Sequence, residues 1–122
     1  VIVFTRRSSA LGFGAGVFIA CLWNYTNRFV TTFIAAGISQ LWLMLQTGTV
    51  KRPDFLIAVV AAGGHFLLIA ACLVGFFRAS PTRREWGEFV AGGVAAILYF
   101  VAIIVTAGPQ YIGLLKRMFL LP

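Results

Sequence analysis

Charge is what this sequence has least of. Ten Lys and Arg and three Asp and Glu make up 11% of its 122 residues, where soluble domains carry about a quarter. The three acids, Asp54, Glu85 and Glu88, border long apolar stretches and never interrupt them, which removes the intramembrane carboxylates a proton path needs. Histidine is equally scarce. One His65 and two remote cysteines, Cys21 and Cys72, make neither a zinc cluster nor a hydrolase triad, and they give no disulfide framework. No glycine run precedes Lys-Ser or Lys-Thr, so a phosphate-binding loop is absent from the sequence. No stretch of about ten residues alternates apolar with polar, which argues against membrane-spanning strands.

What fills the chain is oil. The composition is 61% hydrophobic with 12 Phe, and the mean hydropathy is +0.97. The charges gather in short clusters at Arg6 to Arg7, Arg28, Lys51 to Asp54, Arg78 to Glu88 and Lys116 to Arg117. Uncharged apolar stretches separated by charged clusters are the pattern expected when the solvent is a bilayer, so the sequence is expected to be an all-α integral membrane protein.

A hydrocarbon core of about 30 Å takes roughly 20 helical residues. Two segments meet that length: 55–77, opened by Pro53 and Asp54, and 86–107, stopped by Gly108-Pro109. Thr82 and Glu85 have the spacing of a capping box at the start of the second. Residues 8–47 are apolar except for "NYTNR" at 24–28, and one straight helix over that length would run about 60 Å, twice the membrane. The expected solution is a helical hairpin over 9–47, with spans 9–25 and 29–47, completing a four-helix transmembrane bundle in one domain. Trp23, Tyr25 and Trp42 suit its interfacial belts. A re-entrant or surface-lying first segment with three true spans stays open as the alternative. "QYIGLLKRMFLLP" suits a short C-terminal interfacial helix over 110–121. "NYT" at 24–26 matches a glycosylation acceptor but sits against the membrane in this scheme, so it is read as chance. The start at Val1 suggests processing or truncation.

With four spans, the N-terminus, the 48–54 loop and the tail share one side and hold six basic residues, against four on the other. That is a weak orientation bias. The net charge of +7 fits anionic phospholipid head groups, with Arg6, Arg7, Lys51, Arg52, Arg83, Arg84, Lys116 and Arg117 as the contacts. The basic residues are divided between both faces, so nucleic acid is not an expected partner. Small residues mark each span for close packing: Gly12 and Gly16, Gly37, Gly63 and Gly64, then Gly92, Gly93 and Ala96. Cys21 and Cys72 are expected to serve as small buried apolar residues, although in an up-and-down bundle a contact between them is conceivable.

His65 falls at the middle of the 55–77 span, where an unsatisfied polar group is costly and an ionisable one is a functional candidate. Counting depth along the expected bundle pairs it with Tyr99 or Gln40, as interhelical glue worth roughly 1 kcal/mol. A cofactor role would be a haem or quinone site shared with a partner chain, since a haem held by two histidines needs a second one.

Four spans in about 120 residues is similar to small multidrug transporters, but "LGFGAGVFIACLW" offers no counterpart to the glutamate of their first helix. "AAILYFVAIIVTA" at 95–107 resembles a span of MARVEL-type proteins over 13 residues. A histidine within a span is similar to the membrane anchors of succinate dehydrogenase, with different flanking residues. The function these readings favour is a small non-enzymatic accessory or assembly subunit of a larger membrane complex, with other membrane subunits as partners, bound lipid, and no cofactor of its own. The expected setting is a respiratory or photosynthetic electron-transport complex of a mitochondrial or bacterial inner membrane. The alternatives are a quinone- or haem-site anchor using His65, and a small homo-oligomeric transporter or channel.

Overall fold

The computed structural model describes residues 10–107 together with 112, 113 and 116. The expected tail helix at 110–121 falls almost wholly outside the described residues. Among these residues there is no strand: the elements are α1 (Ala10–Tyr25), a π-helical turn (Thr26–Val30), α2 (Phe33–Thr47), α3 (Pro53–Arg78) and α4 (Arg83–Ala107). Two of them, α3 and α4, are long and apolar enough to cross a membrane. Pro53 opens α3 where its missing N–H costs nothing. The Thr82–Glu85 capping box forms at α4: the Thr82 N–H donates to Glu85 Oε2 at 2.7 Å and the Glu85 N–H to Thr82 Oγ1 at 3.4 Å.

The first half does not make the expected hairpin. α1 with its π-helical turn meets α2 at a bend of 72°, and both helices then follow α3 in one direction. Phe13 stacks edge-on against Phe76, Asn24 meets His65, Phe33 packs on Phe55, and Gln40 reaches the backbone at Lys51 and Arg52. As residue number rises from 13 to 33, the partner on α3 falls from 76 to 55, and Gln40 then reaches the turn just before that helix. α1 therefore runs antiparallel to α3, where an up-and-down bundle would make the two parallel, and α2 continues the descent instead of returning. The break has a local cause. The Thr31 N–H bonds the Thr26 carbonyl, five residues back, at 2.9 Å, and Thr32 takes a left-handed backbone at φ 59°. A π-turn followed by one left-handed residue redirects a helix without reversing it.

α4 runs parallel to α1, and their contact is made by bare backbone. A Cβ on Gly14 would overlap the Phe89 carbonyl, and one on Gly92 would overlap the Leu11 carbonyl and lie 3.0 Å from the Ala15 nitrogen. Such proximity is what holds helices together where lipid removes the hydrophobic drive. Farther along, Trp23 meets Phe100 at 5.5 Å, and Phe100 and Ile104 are buried among Ile19, Leu22, Tyr25 and Val30. α3 and α4 meet at their loop end, where Phe76 faces Phe89 at 4.5 Å and Trp86 at 4.9 Å. α1 thus fills the space between α3 and α4.

Candidate functional site

The polar run at 24–32 begins beside the midpoint of α3, where Asn24 meets His65. Asn24 and Thr26 are the buried polar residues among those described, at 9% and 4% exposure. His65 Nδ1–H donates to Asn24 Oδ1 at 3.2 Å, so the partner of the histidine is Asn24 and neither Tyr99 nor Gln40. The expected partners fail for a geometric reason. Tyr99 is 63% exposed on the outer side of α4, and Gln40 Oε1 accepts the Lys51 and Arg52 N–H groups at 3.2 and 3.1 Å, tying the end of α2 to the start of α3. Depth counted along a hairpin puts Asn24 at an interface; the bent path carries it to the level of His65. The run "NYTNR" was the signal in the sequence, since Asn24 is its first residue.

The remaining polar groups of the break bond locally. Asn27 Nδ2 donates to the Trp23 carbonyl at 2.9 Å, and Thr32 Oγ1 to the Thr31 carbonyl at 2.7 Å. Asn24 is the exception. Its Nδ2 is buried with no hydrogen-bond partner, a condition that costs about 1–3 kcal/mol for a polar group. Next to it opens a cavity of about 530 Å³. Its polar groups are Asn24 and Arg28, its aromatic walls Tyr25, Phe29 and Phe66, and its α3 side runs from Ala62 to Ile69. The Arg28 guanidinium lies over the Phe29 ring, 5.3 Å from its centroid.

The small residues divide by direction. Gly12 and Ala96 are buried. Gly16 lies against Cys72, Gly37 against Phe55 and Val59, and Gly93 against the Phe18 ring. Gly63 and Gly64 face outward, with nothing within 4 Å of a Cβ placed there. Both cysteines are free, but only Cys72 is buried; Cys21 is exposed at the cavity wall. Among the basic residues, Arg52 pairs with Asp54 at 2.6 Å and Arg84 with Glu88 at 3.1 Å, all at the surface, where such pairs contribute little. Lys51, Arg83 and Lys116 are exposed, while Arg6, Arg7 and Arg117 lie outside the described residues. Among the described residues no three His, Cys, Asp or Glu side chains stand close enough to hold a metal ion.

Comparison of the chain with models of known families, with curated proteins and with solved structures finds no match.

Proposed function

We propose that the chain is a small accessory subunit of a larger membrane complex, with an energy-transducing complex of an inner membrane as its setting. It crosses the bilayer three times: once through α1 and α2 as a broken span, then through α3 and α4. The observation that carries the reading is the break. Its π-turn begins two residues after Asn24, which meets His65 at the middle of α3, a helix about 39 Å long, and the exposed Arg28 and left-handed Thr32 follow before Phe33 reaches Phe55 near the start of that helix. Irregular backbone and an arginine at such depth are tolerated where protein or a cavity covers them, not against lipid chains. α3 and α4 hold one side of the break, and a neighbouring subunit covers the other.

Two measurements test this. With three crossings, cysteines placed singly at positions 2 and 81 report one side of the membrane and those at 50 and 118 the other, in a chain lacking Cys21 and Cys72. Agreement of position 2 with 50 would restore the four-span hairpin. Separately, native purification is expected to bring down stoichiometric subunits of other sequence; a homogeneous, colourless homo-oligomer would favour the transporter or channel reading and remove this one.

One observation favours the anchor reading as a second choice. The contact with Asn24 engages Nδ1 of His65, which leaves Nε2 as the ring nitrogen that would ligate iron or accept a hydrogen bond in this reading. A Soret band in the purified complex that disappears in His65→Gln would establish it.

A further inference from the structure

We infer that the cavity at the helix break binds a lipid-soluble molecule whose polar end carries carbonyl or carboxylate oxygens. Three features set the ligand's chemistry. The buried Asn24 Nδ2 has no partner, and Asn24 lines the cavity, so a dehydrated hydrogen-bond donor stands at its edge. Arg28, the one charged residue of the lining, has a guanidinium that only donates. The remainder of the lining is apolar or aromatic, from Cys21 and Tyr25 to Phe66 and Ile69.

A ligand that complements this wall has an apolar body and an oxygen that accepts, and it needs no donor of its own. The volume of about 530 Å³ falls within the range of small-molecule sites, roughly 300–1,000 Å³. A phospholipid head group is a poor fit, because its phosphate stays hydrated at the interface while this cavity adjoins the middle of α3. A quinone ring or the end of a long-chain fatty acid carries the required oxygens on an oily frame. The break places the site: the π-turn supplies Arg28 and Phe29 and α2 supplies Ile34 to a lining that α1 and α3 complete.

The inference goes beyond the subunit reading, since the cavity is built by this chain alone, and each can fail without the other. Cys21 lies on the cavity wall and Cys72 is buried, so the full chain in lipid nanodiscs carries both a reporter and a control. Modification of Cys21 by an apolar maleimide is followed with a decyl-chain benzoquinone or with oleate added. At about ten times the dissociation constant, the protecting probe slows labelling about tenfold. Protection by the benzoquinone alone identifies a quinone-type site, and protection by oleate alone a fatty-acid site. Arg28→Gln, which alters an exposed side chain, and Asn24→Leu are each expected to abolish the protection. Unchanged labelling with both probes, or protection that persists undiminished in Arg28→Gln and Asn24→Leu, would overturn the inference.

Discussion

Replacing Gly92 with leucine is expected to separate α1 from α4 and to destabilise the chain by about 3 kcal/mol or more, the upper range for overpacking. The clash cannot be relieved by a rotamer change, because the obstacles are the Leu11 carbonyl and the Ala15 nitrogen, both part of a helix backbone. Gly64→Leu, in open space, is its control. Thermal unfolding of the purified chain in mild detergent should show a large loss for the first and nearly none for the second. If both variants unfold together with the parent chain, the α1–α4 contact is not what holds the helices. If Gly64→Leu retains stability but loses co-purifying subunits, the outward notch of α3 is a subunit contact.

The second large effect is a reversal of sign at the histidine. His65→Leu leaves the whole Asn24 amide without a partner, since its Nδ2 already lacks one. The cost is expected at about 1–3 kcal/mol for a stranded buried group, nearer the lower figure inside a membrane. Adding Asn24→Leu to His65→Leu should recover most of that loss, because replacing both partners with apolar groups removes the desolvation penalty along with the bond. His65→Gln keeps a donor for Asn24 Oδ1 and should lie close to the parent. A double variant less stable than His65→Leu would mean that Asn24 has a role apart from this pair.

The two long helices were legible in the sequence because each carries its own evidence: enough apolar length, and a Pro or a capping box at the start. The direction of the first half was not. Hydropathy marks where a helix is interrupted but not the angle through which the chain turns there. "NYTNR" was read as a tight reversal, although it contains neither glycine nor proline, the residues that most readily supply one. A π-turn and a threonine at φ 59° have no comparable sequence signature. That one misjudged angle moved Asn24 from mid-depth to the interface and therefore hid the partner of His65. The histidine stood out from composition alone, as the single imidazole in an apolar helix, whereas its partner depended on topology. The inward and outward glycines could not be separated for the same reason: each helix is rich in small residues on more than one face, and only the packing order decides which face is used.

The close fit of Gly14 and Gly92 also sets an order of events during synthesis. The first helix of the described chain docks on the last, and Gly92 of α4 is made about 60 residues after the π-turn ends at Val30. At roughly 5–20 residues per second, α1 spends several seconds with its glycine face uncovered. The α3–α4 turn, with Phe76, Phe77, Trp86 and Phe89 gathered around it, can close on its own as soon as both sides emerge. α1 can meet α3 first, through Phe13 and Phe76 and through Asn24 and His65, so its packing is completed in two stages, and the bare glycine face stays open until the second.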